Sequence, residues 1–121
     1  MDFRLTEAQR MTQQLARDFA AKEIAPYAAE WDETCTFPRE AVRKLADLNL
    51  LGIIFPQADG GAGLDYLSYA LVLEELSRID GSIGIIVAAH TSLCANHIYS
   101  VGSEAQRRRY LVPLARGEKL G

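Results

Sequence analysis

The sequence predicts an all-α fold: a bundle of about five helices with a buried central helix, formed by one domain over residues 1–121. Three observations lead there. Apolar residues recur at spacings of three and four in successive segments, the signature of helices that bury one face. Capping boxes at Thr6 with Gln9 and at Ser103 with Gln106 mark helix starts near both ends. Between them, the run from Gly81 to Ser103 holds no Asp, Glu, Lys or Arg. A helix apolar on most sides belongs inside a bundle, with the others packed around it.

The first helix opens at Thr6. Ala8, Met11, Leu15 and Phe19 form its stripe, and Ile24, Tyr27, Ala28 and Trp31 continue it. Pro26 removes a backbone donor inside this pattern, which predicts a kink near Lys22–Pro26 rather than two helices. Pro38 suits a first helical position and starts the second helix, which runs to about Leu48 with Val42, Leu45 and Leu48 inward. Leu50 to Phe55 is apolar throughout and reads equally as a short strand.

The third helix runs from Asp65 to about Ile79. Leu67, Ala70, Leu71, Leu73, Leu76 and Ile79 give it a wide apolar face, and Glu74 can pair with Arg78 at i,i+4. The uncharged fourth helix follows Asp80, Gly81 and Ser82 and ends near Val101, where Gly102 suits a left-handed stop. The fifth begins at Ser103, carries Arg107 to Arg109 and the stripe Tyr110, Leu111 and Leu114, and stops at Gly117. Repeats, low-complexity tracts and long linkers are missing, so an all-α bundle with short connections follows.

Bulk properties narrow the function classes. A chain of 121 residues buries about 65% of its unfolded surface. A composition 49% apolar and 24% charged suits a globular protein. Net charge is −3 with no block of five like charges, so electrostatics point to no nucleic-acid partner. Cys35 and Cys94 form neither a CxxC motif nor a disulfide framework, which fits a reducing compartment. Met1 is followed by Asp2, Phe3 and Arg4 without a basic, apolar or Arg/Ser-rich leader, which predicts a cytoplasmic protein. His90, Thr91, Ser92, Asn96, His97 and Ser100 place too many polar groups in the uncharged run for a membrane span.

Four constellations carry residue types suited to chemistry. Gly60, Gly61 and Gly63 follow an apolar run, as in a loop that cradles a pyrophosphate. The spacing, however, is G-x-G-x-x-Y, and Asp80 leads into another helix rather than a second strand; turns explain the glycines better. His90, Cys94 and His97 lie at i, i+4 and i+7 on one helix face. Positions seven apart are about 10 Å distant along a straight helix, too far for two ligands of one metal, so no metal site is predicted. Glu74, Glu75 and Asp80 read as the solvated face and end of the third helix. Thr91 and Ser92 point away from His90 and make no nucleophile–base pair. These residues predict no complete catalytic site.

Several stretches in order resemble the N-terminal helical domain of the acyl-CoA dehydrogenase family. They are A-A-K-E-I-A-P-Y-A-A-E-W-D (Ala20–Asp32), Phe37–Pro56 ending G-I-I-F-P, G-G-A-G-L-D-Y through E-E-L-S-R-I-D (Gly60–Asp80), H-T-S-L-C-A-N-H-I (His90–Ile98), and the tail from Gly102 to Gly121. The H-T-S-L piece is most similar to members acting on short or branched acyl chains. The resemblance implies a three-domain parent, with a middle β domain and a C-terminal helical domain beyond this chain. It implies oxidation of an acyl-CoA to its 2-enoyl-CoA. The resemblance further implies FAD as the cofactor, a glutamate of the C-terminal domain as the base, and an electron-transferring flavoprotein as the electron acceptor.

On this chain the resemblance implies no catalytic residue and no tightly bound FAD. It implies one wall of the acyl pocket, at Ile85, Ile86, Ala89, His90 and Leu93, and a homo-oligomeric parent. Plain core packing is the alternative for these five residues. A stand-alone helical interaction module, and a family member with another flavin-dependent reaction, are the other readings of the whole.

Overall fold

The computed structural model describes residues 3–121, so the expectation about a leader at Met1 and Asp2 lies outside it. Among the described residues there is no strand, and six helical stretches stand where five were predicted. The extra one comes from the first helix. Helix α1 (Glu7–Phe19) opens on the Thr6/Gln9 capping box and widens into a π turn at Ala20–Ile24. The chain then turns through residues 25–27 before α2 (Ala28–Glu33). Pro26 has no N–H and its ring excludes the carbonyl one turn back. The Ala25 amide reaches Ala20 O at 2.9 Å instead, and Tyr27 bonds Ile24 O. The proline therefore breaks the helix rather than kinking it.

The buried stripe of α1 also differs from the predicted one. Gln9, Thr12, Ala16 and Phe19 face inward, while Ala8 and Leu15 are exposed and Met11 is 67% exposed. Polar partners on the neighbouring helix set this rotation. Gln9 donates from Nε2 to Asp65 Oδ2 at 2.8 Å, and Arg17 makes two bonds to Glu75. Helix α3 (Arg39–Asp47) buries Ala41, Val42 and Leu45, with Pro38 as its cap and Leu48 at the exposed end.

Leu50–Phe55 forms turns and no strand. Its apolar side chains Leu50, Leu51, Ile53 and Phe55 are buried while its carbonyls accept from the loop that follows. After a 3₁₀ turn at Gln57–Asp59 comes α4 (Tyr66–Ile79), capped by Asp65 Oδ1 accepting from Ser68 N at 2.7 Å. Its inward face is Ser68, Tyr69, Leu71, Val72, Glu75 and Leu76; Leu67 and Ala70 turn out. Glu75 is a correction to the solvated reading, being 3% exposed and paired with both Arg17 and Arg78. Arg78 thus pairs with Glu75 rather than with Glu74.

Helix α5 (Gly81–Ala88) is capped by Asp80, continues through a π turn at Ala89–Ala95 and ends as α6 (Asn96–Val101). Gly102 is extended (φ −74°, ψ 148°), not left-handed, because the next cap begins at once. Ser103 and Gln106 form the predicted capping box of α7 (Glu104–Gln106), and a π turn at Arg107–Leu111 leads into α8 (Val112–Ala115). Gly117, at φ +72°, supplies the left-handed stop. Two apolar clusters result. One gathers α1, α3, α4 and α5 around Phe19, Leu45, Val72 and Ile83; the other packs Phe55 and Ala95 against Leu111 and Leu114.

Candidate functional site

The uncharged helix is buried on one side only. Ile83, Gly84, Val87, His90, Thr91 and Ala95 face the interior. On the opposite side Ile85 is 70% exposed and Leu93 75% exposed, with partly buried Ala89 between them and Val101 further along. Four-residue steps along an ideal α-helix drift by about 40° each. The wider π turn from Ala89 offsets that drift, so Ile85, Ala89 and Leu93 keep one line. Tyr66 and Leu67 of α4 are exposed as well. Along the α4–α5 seam the Tyr69 and Ser92 hydroxyls bond at 2.8 Å, and the Tyr66 hydroxyl donates to Asn96 Oδ1 at 3.4 Å. Burial pushes the Tyr69 phenol up from its ordinary value, so it stays neutral.

The other two residues of the predicted wall lie elsewhere. Ile86 packs at the edge of the larger core and borders a separate groove of about 650 Å³, shared with Trp31, Phe37 and Ile79. His90 is fully buried. Its Nε2 donates to Leu114 O at 3.0 Å and its Nδ1 accepts from the Gly121 amide at 3.1 Å. Burial holds it below the ordinary histidine value, so it is a neutral core group. Neighbouring Thr91 donates to Leu51 O at 3.0 Å. These two bonds fix the inner side of the helix to the loop and to α8. The structure thus brings together Ile85, Ala89 and Leu93, and separates them from Ile86 and His90.

The same geometry decides the other constellations. His90 is buried and His97 exposed, so the two do not share a face with Cys94. Among the described residues no group of three His, Cys, Asp or Glu side chains is placed to hold a metal. The glycine loop is closed on itself. The amides of Gly60, Gly61, Ala62, Gly63 and Leu64 donate to Gln57, Pro56, Gly52, Phe55 and Ile53 carbonyls, so none points outward to a phosphate. The residues present do not fit a flavin pyrophosphate there. Arg108 pairs with Glu104, Arg107 lies over the Tyr99 ring and Arg109 over Tyr110, which occupies all three arginines locally. Among the described residues no helix is long and apolar enough to cross a membrane.

Sequence reasoning missed the Tyr69–Ser92 bridge and the Glu75 pair. Arg17 and Glu75 stand 58 positions apart, beyond any local spacing rule.

Comparison with known proteins agrees with this architecture. The family model for the acyl-CoA dehydrogenase N-terminal domain matches residues 6–118, and the chain belongs to that family. It is 51% identical over its full length to the short-chain-specific acyl-CoA dehydrogenase of Clostridium acetobutylicum, spanning 32% of that protein. A chain in a solved structure of the electron transferring flavoprotein of Acidaminococcus fermentans superposes with a TM-score of 0.97 at 45% identity. Butyryl-CoA dehydrogenase from Megasphaera elsdenii superposes with a TM-score of 0.93 at 42% identity. In both, this whole chain is covered and accounts for 32% of the other. The chain therefore spans about a third of the length of the relatives it matches.

Proposed function

We propose that this domain supplies one wall of the acyl pocket in a flavin-dependent acyl-CoA dehydrogenase that converts short or branched acyl-CoA to 2-enoyl-CoA. The observation that carries this reading is the line of Ile85, Ala89 and Leu93, left open on a helix otherwise packed into the core. An apolar line of this kind shields an acyl tail from water, and each methylene so shielded contributes about 0.8 kcal/mol. Ala89 leaves room between two larger side chains, and shape control of that sort discriminates by roughly 1–3 kcal/mol per methylene. The Tyr69–Ser92 bond pairs two hydroxyls beside the line.

The remaining domains of the parent would hold FAD, which would supply the acceptor for the β-hydride. The base is a glutamate of the C-terminal domain and the electron acceptor an electron-transferring flavoprotein. The parent acts in the cytoplasm as a homo-oligomer. This chain positions and encloses the acyl group and moves no proton itself. Support comes from the family membership and from the similarity to a short-chain-specific relative.

The test is to purify the full-length protein that carries this domain and add butyryl-CoA with a dye acceptor. Reduction of the dye with formation of crotonyl-CoA is expected. A purified flavoprotein that leaves all saturated acyl-CoAs unchanged would contradict the reading. The 121-residue chain alone should show no stoichiometric flavin absorbance, and a bound flavin there would overturn the assignment of the cofactor to the other domains.

A further inference from the structure

His90 is a buried titratable group that the wall does not use. It lies on the inner side of the helix whose outer side bears Ala89 and Leu93. Its two nitrogens hold two backbone groups, Leu114 O at 3.0 Å and the Gly121 amide at 3.1 Å. A carbonyl only accepts and an amide N–H only donates. The ring is therefore neutral, with its proton on Nε2 and its Nδ1 lone pair on Gly121. Gly121 also packs tightly here: a Cβ built on it would run into Cys94 Sγ and stand 3.3 Å from Leu114 Cδ2.

We propose that His90 is a positioning residue: it ties the chain at Gly121 to the helix that forms the acyl wall, so that the segment after Gly121 starts from a fixed point relative to Ala89 and Leu93. This rests on the dehydrogenase reading above. Relatives about three times as long contain this stretch as one domain of several. In such a chain one rigid helix holds the acyl wall on one side and the outgoing segment on the other. The distance between the acyl tail and the groups of the next domain is then set by His90, and misplacement by about 1 Å can cost a hundredfold in rate.

Three variants of the full-length enzyme separate the two bonds. Asparagine places its amide near the imidazole Nδ1 and keeps the acceptor for Gly121. Glutamine places its amide near Nε2 and keeps the donor for Leu114. Leucine keeps neither. His90→Gln and His90→Leu are expected to lower kcat about tenfold or more with KM little changed, and to speed amide exchange at Gly121 about tenfold. His90→Asn is expected to recover most of both. Equal losses in all three variants that follow Tm would overturn the proposal and leave His90 a packing residue. Unchanged Gly121 exchange in His90→Gln would overturn it too. Gly121 exchange is read without substrate, so it decides the His90 question even if the wild-type enzyme proves to act on something other than acyl-CoA.

Discussion

A buried carboxylate needs partners, and Glu75 has two. Arg17 reaches it through Nε at 3.1 Å and Nη2 at 2.7 Å, and Arg78 adds a bond at 3.2 Å. The Arg17 hydrogen bond is the main reason its carboxyl lies below the usual range. Glu75→Gln keeps the volume and removes the charge, so we expect a loss of about 1–3 kcal/mol in a urea melt. An unchanged midpoint would show the pair to be ornamental. His90 gives a pH dependence of opposite origin. Its folded value is depressed by burial, so the unfolded chain takes up the proton first. Stability is whole above the ordinary histidine value of 6.5 and falls as pH drops from there toward the folded value. Glu75 and Asp65, also depressed, add their losses only below their ordinary values of 4.5 and 3.8. Tm measured from pH 8 to 5 should therefore decline below about 6.5, with a shallower decline in His90→Asn. Parallel curves would show that His90 does not titrate on unfolding.

At the scale of elements, α4 and α5 meet where Gly84 lies against Ser77. A Cβ on Gly84 would overlap the Ser77 hydroxyl and stand 3.0 Å from Ser77 Cβ, so Gly84→Ala should turn the hydroxyl away and strain the contact at a cost of about 1 kcal/mol. Ser77→Gly in the same chain should return part of that loss, and a strictly additive double mutant would show that the two do not touch. Both capping boxes and the uncharged helix were legible in the sequence because each is a local pattern of a few residues. The face of α1 was not. Its stripe of Ala8, Met11 and Leu15 lost to Gln9, Thr12 and Ala16 because the bonds to Asp65 and Glu75 rotate the helix. The break at Pro26 was half legible: the missing donor is local, but the π turn that absorbs it is not. Of the candidate wall, helical period brings Ile85, Ala89 and Leu93 only roughly to one side, and the π turn that lines them up is not a local sequence pattern. Period could not say that His90 turns inward, since that depends on Leu114 and Gly121.

Over the whole molecule, Ile85 and Leu93 are exposed, as are Tyr66 and Leu67 of α4 and Met11 and Leu15 of α1. Apolar patches of more than a few hundred Å² are uncommon on monomers and drive association. The 121-residue chain by itself should therefore self-associate and bind a hydrophobic dye. Static light scattering that returns a strict monomer without dye binding would count against an open apolar face. The central claim is that this face is the wall of an acyl pocket, and Ala89→Leu in the full-length enzyme tests it most directly. Added carbons between Ile85 and Leu93 shorten the space for a tail, so kcat/KM should fall by about tenfold or more for longer acyl-CoAs while the shortest substrates are spared. Measured across acyl-CoAs of increasing length beside Tm, a profile shifted toward short chains at unchanged Tm is the expected result. An unchanged length profile with a lowered Tm would make Ala89 core packing and contradict the account.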